Sequence, residues 1–227
     1  MEEENEFISI AALIGEPNRA RILWNLLDGR SYTASELAIA ADISSTAASN
    51  HLSKLLEANV LKAASQGRHR YFSFARPEVA YVVESLASLT TVNRKTNNKP
   101  VIIPEIKYCR SCYDHLAGYA GVCVTEALEK KGMIKKSGTI YDITNKGWKW
   151  FLQFDITEEN ITNKRRALTR QCLDWSERRP HLAGQIGAQL LEKMLELRWF
   201  KKIQFSRALL VTAKGKSELH NLLGIEI

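Results

Sequence analysis

Along the first part of the chain the apolar positions fall into short stripes at three- and four-residue spacing, separated by residues suited to caps and turns. Ile22, Leu23, Leu26 and Leu27 form one stripe, which predicts a helix with Pro17 in its first turn and Gly29 as its stop. Thr33, followed three residues later by Glu36, makes a capping box ahead of a second helix, Leu37-Ala-Ile-Ala-Ala41. The short turn Asp42-Ile43 leads into a third, with Ser44 as N-cap and Ala48, Leu52, Leu55 and Leu56 as its core stripe. The opposite face of that third helix carries Ser45, Thr46, Ser49, Asn50, Ser53 and Lys54. These short hydrogen-bonding side chains and a cation suit base edges and phosphates better than a solvated charge network. The period then shortens. Val60-Leu61-Lys62 and Tyr71-Phe-Ser-Phe74 read as two strands joined by Ser65 to Arg70, a hairpin with Gly67 for the turn and Arg68, His69 and Arg70 for a phosphate backbone. A further helix over Val79 to Leu89 presents Val79, Val82, Val83, Leu86 and Leu89, a stripe that packs either against its copy in a dimer or against its own domain.

Two tight helices, a polar-faced third and a basic hairpin spell a winged helix-turn-helix. Over roughly residues 7 to 92, the run Ala11 to Leu23, then Ser49-Asn-His-Leu52, then the Gly67-Arg68 wing resembles the ArsR/SmtB family of bacterial winged-helix repressors. That resemblance implies a homodimer that binds double-stranded operator DNA and is released by a metal or another inducer. The family's metal motif on the helix before the recognition helix needs two cysteines, and Glu36 to Asp42 has none. Its alternative zinc site uses Asp and His on the helix after the wing, and Val79 to Val92 holds neither. Any sensing must therefore occur elsewhere in the chain.

A chain of 227 residues is too long for one winged helix of about 80–100 residues, so a second domain of comparable size is expected. Thr90 to Pro104 mixes Asn, Lys and Pro with little periodicity and reads as a linker. The organisation read from sequence is therefore residues 1–92 for DNA binding and dimerisation, 93–105 as linker, and 106–227 for sensing or oligomerisation.

This second part repeats itself. Arg110-Ser-Cys-Tyr-Asp-His-Leu-Ala-Gly118 matches Arg170-Gln-Cys-Leu-Asp174 followed, after a six-residue insertion, by His181-Leu-Ala-Gly184. Downstream, Gly121 matches Gly187, Met133-Ile134 matches Trp199-Phe200, and Tyr141 to Gly147 matches Leu209 to Gly215. Each copy, about 108–155 and 170–227, reads as a helix opening with His-Leu-Ala-Gly, two strands, and a closing helix capped by Thr144 or Thr212. The fold class expected for the whole chain is mainly α with short β-hairpin wings (α+β): an N-terminal winged helix and a pair of degenerate winged-helix-like repeats. The acids Glu126, Glu129, Glu192 and Glu196 fall where a reading face would be and argue against phosphate contact by either repeat. This half also resembles a subgroup of ArsR-type regulators with a long C-terminal extension containing Cys-Tyr-Asp-His-Leu-Ala-Gly and Cys-Leu-Asp-Trp-Ser-Glu-Arg-Arg.

Charge agrees with the assignment of the first half. The formal net charge is +7 and the pI near 9.2, which favours a polyanionic partner without telling DNA from RNA or an acidic membrane. Between residues 43 and 76, Lys54, Lys62, Arg68, Arg70 and Arg76 face a single acid, Glu57. The acidic start Met1-Glu-Glu-Glu-Asn is unlike a signal peptide and no apolar run reaches a membrane span, so a cytoplasmic protein with reduced cysteines is expected.

The chemistry-bearing residues of the second half are Cys109, Cys112, His115, Cys172 and His181. Cys112 and His115, three apart, fit one helical face and a zinc-like ion, with Cys172 and His181 completing a site only if the two repeats meet. A thiol redox switch and plain buried cysteines with packed histidines stay open beside it. Asp114 and Asp174 read as helix caps. Tyr108, Trp175, Arg178 and Arg179 read either as a pocket for a small anionic or aromatic ligand or as aromatic core with surface arginines. Trp148 and Phe151 share one face of a closing helix. Gly-rich phosphate loops, nucleophile elbows and His-Glu-x-x-His motifs are missing, so an enzyme is not expected. The sequence thus reads as a homodimeric repressor under effector control through its C-terminal domain. The alternative is a small-molecule- or metal-binding sensor with weak or vestigial DNA binding.

Overall fold

Caps and turns chosen by the sequence set the helix ends in the N-terminal unit. The computed structural model describes residues 2–89, 105–161, 166–203 and 206–227, and divides into two compact units, Met1–Leu86 and Ala87–Ile227. The first helix, α1 (Glu2–Gly15), has no counterpart in the sequence reading. It buries only Ile14 and leaves Phe7 and Ile8 72% and 54% exposed, so it lacks the inward stripe that periodicity detects. At α2 (Pro17–Leu26), Glu16 accepts from the backbone N–H groups of Asn18 and Arg19, and Pro17 occupies the position where no N–H is needed. After β1 (Tyr32–Thr33), the Thr33–Glu36 capping box starts α3 (Ala34–Ala41), and Asp42 stops it in the left-handed conformation. Ser44 Oγ accepts from Ala47 N at 3.2 Å to open α4 (Ser45–Glu57).

The wing is longer than its apolar letters indicate. Strands β2 (Leu61–Gln66) and β3 (His69–Phe74) pair antiparallel from Leu61↔Phe74 to Gln66↔His69, leaving only Gly67 and Arg68 in the turn. His69 and Arg70 therefore belong to a strand and not to a loop. Backbone pairing extends the ladder through the polar segment Ser65–Gln66, beyond the hydrophobic pattern. β1 joins the other edge of β3, giving the order β1-β3-β2. Ile22, Leu23, Leu26, Leu37, Leu52, Leu55 and Phe72 fill the core, and α5 (Pro77–Ser88) follows. Of the predicted stripe on α5, Val79 and Val83 are buried and Val82 and Leu86 are exposed. The segment read as a linker lies almost wholly outside the described residues, and its last residue, Glu105, begins a helix.

The C-terminal unit holds the two repeats. The first runs α6 (Glu105–Tyr108), β4 (Arg110–Cys112), β5 (His115–Ala117), α7 (Gly118–Lys130), β6 (Ile134–Ser137), β7 (Ile140–Ile143) and α8 (Asn145–Phe151). The second runs β8 (Arg170–Leu173), β9 (Pro180–Ala183), α9 (Gly184–Glu196), β10 (Phe200–Lys202), β11 (Leu209–Val211) and α10 (Ala213–Leu223). Each is therefore a hairpin, a helix, a second hairpin and a helix. His-Leu-Ala, expected to open a helix, is instead a strand in both copies, paired Arg110↔Ala117 and Arg170↔Ala183. Every residue of β4 and β5 is buried, so they show none of the alternation that marks a half-exposed strand.

The Thr-x-x-Gly signature has a tight geometric cause. Thr144 Oγ1 accepts from Gly147 N at 3.0 Å and donates to Gly132 O at 2.8 Å, tying the start of α8 to the turn before β6. Thr212 does the same with Gly215 N at 2.9 Å and Arg198 O at 2.7 Å. The glycines are required because a β-carbon there would lie 2.0 Å from Met133 O or 2.2 Å from Trp199 O. The repeats also exchange partners, α7 packing on β9 and α9 on β5. They share one core, in which Leu116, Val124, Leu128 and Phe151 of the first meet Leu182, Ile186, Trp199 and Phe200 of the second.

Candidate functional site

Capping and burial orient α4 so that its polar residues face outward. With Ala48, Leu52 and Leu55 buried, Ser45, Thr46, Ser49, Asn50 and Lys54 are all exposed. His51 Nδ1 lies 3.4 Å from Glu16, which anchors α4 to the start of α2. In the wing, Gly67 takes a positive φ, and Arg68, His69 and Arg70 are exposed. The Arg70 guanidinium lies 5.4 Å from the centre of the Phe72 ring, and Arg68 Nε approaches His69 Nε2 at 3.5 Å. All eight residues predicted for the nucleic-acid face therefore present their side chains to solvent on the same unit. The corresponding helices of the C-terminal unit are different: Val122 and Val124 are buried, while Glu126 pairs with Arg179 at 2.7 Å and Glu129 with Lys136 at 3.2 Å.

The second cluster is built by the two buried hairpins. Cys112 and His115 are cross-strand partners flanking the turn Tyr113-Asp114, and Cys172 and His181 are cross-strand partners in β8–β9. The expected placement of Cys112 and His115 on one helical face is thus corrected, because a hairpin brings them together. Their ligand atoms, with those of Cys172 and His181, all lie within 4.8 Å of one another. The two sulfurs are 3.8 Å apart and the two Nε2 atoms 3.1 Å. Cys112, His115 and His181 are fully buried, and Cys172 is partly so.

Each histidine turns its other ring nitrogen to a carboxylate, His115 Nδ1 to Asp114 at 3.2 Å and His181 Nδ1 to Asp174 at 3.4 Å. Burial opposes charge on His115, but Cys112 and Asp114 outweigh it and push the group up to about 9. Asp114 is held in turn by Arg166 at 2.7 Å and Asp174 by Arg110 at 2.8 Å. Neither aspartate stands at an N-cap position in sequence, but Asp174 Oδ2 accepts from the backbone N–H of Gly118, the first residue of α7, at 2.7 Å. Their shared place one or seven residues before a histidine, after Cys-x, was the available signal.

Cys109 stands apart from this cluster, in the apolar core, where burial pushes its thiol up to about 12. The proposed aromatic and arginine pocket is dispersed. Trp175 stacks under Arg110 at 4.5 Å, Tyr108 lies on Tyr119 at 5.8 Å, and Arg179 pairs with Glu126 and Glu177. In α8 it is Trp150 and Phe151 that are buried, with Trp148 at the edge of the core.

A helix-turn-helix domain family matches residues 14–62, from the end of α1 into β2. The HTH-type transcriptional regulator YdfF of Bacillus subtilis (strain 168) is 40% identical over 219 residues, covering 96% of this chain and 97% of its own. Among solved structures, NolR from Sinorhizobium fredii is 26% identical with a TM-score of 0.36, over 38% of this chain and 85% of that one. A homodimeric winged helix-turn-helix DNA-binding domain from Mycobacterium bovis, a possible ArsR-family regulator, is 21% identical with a TM-score of 0.35, over 37% and 78%.

Proposed function

The chain belongs to the helix-turn-helix transcriptional regulators, and from that premise we propose that it acts as a homodimeric repressor with an ArsR-type winged helix as its DNA-binding part. In this reading, release from double-stranded operator DNA is governed by an effector acting on the C-terminal unit. The observation that carries the DNA-reading role is α4 itself. Its first two turns expose four short polar side chains, Ser45, Thr46, Ser49 and Asn50, over a buried apolar stripe, and a cationic wing follows. Lys54, Arg68, His69 and Arg70 neutralise phosphates while the α4 face reads bases.

Dimerisation is supported by apolar surface that the protomer leaves open. Phe7 and Ile8 on α1, and Val82 and Leu86 on α5, are large apolar side chains between 46% and 72% exposed. A two-fold dimer places two recognition helices on half-sites one turn apart, roughly 34–36 Å, so a small change in their relative placement is enough to release DNA. In this reading the protein works by binding and not by catalysis, in the cytoplasm with its DNA partner. No described helix is long and apolar enough to cross a membrane.

Selection of random duplexes by the full-length protein tests the proposal. A two-fold symmetric sequence with half-sites about 10–10.5 base pairs apart should be enriched. Retention of all sequences alike would contradict operator recognition and leave a sensor with vestigial DNA binding.

A further inference from the structure

We propose that Cys112, His115, Cys172 and His181 form a closed, four-coordinate site for a zinc-class divalent cation, half of it supplied by each repeat of the C-terminal unit. The spacing of the donors carries the argument. A tetrahedral ion with bonds of about 2.0–2.1 Å to nitrogen and about 2.3 Å to sulfur sets the nitrogens roughly 3.3 Å apart and the sulfurs roughly 3.8 Å apart. The observed separations are 3.1 Å and 3.8 Å. Two thiolates and two imidazoles are a donor set that suits zinc, whereas magnesium and calcium require oxygen.

The surroundings fit a ligand site. The Asp114 and Asp174 carboxylates lie 3.2 Å and 3.4 Å from the two Nδ1 atoms, and with the ring protons held on that side both Nε2 lone pairs face the space between the hairpins. The two Nε2 atoms, 3.1 Å apart, share a proton in one pair of tautomers and hold a cation between their lone pairs in the other. The two thiolates then neutralise a divalent ion inside a buried site, where an uncompensated charge is costly. A disulfide accounts for less: the sulfurs stand well beyond the bonded distance of about 2.05 Å, and it leaves the facing imidazoles unexplained.

The ion's place between β4–β5 and β8–β9 makes it a cross-link between the repeats. It holds the hairpins on which α9 and α7 pack. It is distinct in position and ligands from both metal sites sought in the N-terminal domain, and it does not depend on DNA binding.

Full-length protein purified under reducing conditions without chelator tests the site by elemental analysis and cobalt exchange, neither of which uses DNA. About one zinc per chain is expected, and cobalt should give thiolate charge-transfer bands with the intense visible bands of tetrahedral coordination. Cys112→Ser and Cys172→Ser should each lose these bands, while Cys109→Ala and Cys123→Ser retain them. Asp114→Asn, which removes the carboxylate charge beside His115 and its ion pair with Arg166, should weaken binding by about 10- to 100-fold. Folded, reduced wild-type protein without stoichiometric metal or cobalt bands would overturn the site, as would bands that survive in the Cys112→Ser/Cys172→Ser double variant. A Cys112–Cys172 disulfide in protein alkylated directly in cells would also overturn it and install a redox pair instead.

Discussion

Arg110 Nη2 donates to Asp174 Oδ2 at 2.8 Å with both side chains fully buried, joining the first strand of one repeat to the hairpin of the other. Asp174 also accepts from the backbone N–H groups of Gly118, Ser176 and Glu177, so one carboxylate organises both repeats. Burial works against its charge, but Arg110, His181 and these donors outweigh it and hold the carboxyl well below the usual range.

Asp174→Ala should therefore destabilise the C-terminal unit by about 3–5 kcal/mol, because Arg110 is left as an uncompensated buried charge. Chemical denaturation followed by tryptophan fluorescence measures it. In the wild type a depressed carboxylate contributes stability above its unfolded pKa of about 3.9, and that stability is lost as pH falls through the lower folded value. The unit should lose stability progressively below about pH 4, and Asp174→Ala should flatten that part of the profile.

Gly147→Ala should cost about 1–3 kcal/mol, since the new methyl group meets the carbonyl of Met133 and backbone must shift to admit it. Gly215→Ala should behave alike against Trp199 O. An unchanged unfolding midpoint in both variants would show that the α8 and α10 starts relax freely.

What could be read from the sequence was local. Ser44, Thr33 and Glu36 act within one helical turn, so their caps are written in adjacent letters. Phe7 and Ile8 were opaque because α1 buries only Ile14 and so shows no inward stripe for periodicity to detect. The spacing of Cys112 and His115 marks them as a pair but suggests a helix, since a three-residue strand buried on both faces has no period to detect. The convergence of four donors depends on hairpins sixty residues apart meeting through β5 and β9, a tertiary fact that internal repetition suggests but does not fix.

Leu86→Glu places a charge in the exposed apolar surface of α5 and should shift the protein from dimer toward monomer in sedimentation velocity, with helix content unchanged. A dimer of wild-type affinity would remove α5 from the interface.

Arg68→Ala removes a cation from the wing turn and should weaken binding to all duplexes alike. The slope of log affinity against log salt should fall by roughly 0.9 for the lost phosphate contact. A wild-type slope would take Arg68 out of the footprint.

The base-reading role of α4 is tested most directly by repeating the duplex selection with Asn50→Ala, whose side chain is exposed on the second turn of that helix. Loss of one bidentate contact is worth about 1–3 kcal/mol of discrimination. The account predicts a site relaxed at one position of each half-site, with binding to non-specific DNA preserved. An enriched sequence identical to that of the wild type at every position would contradict it.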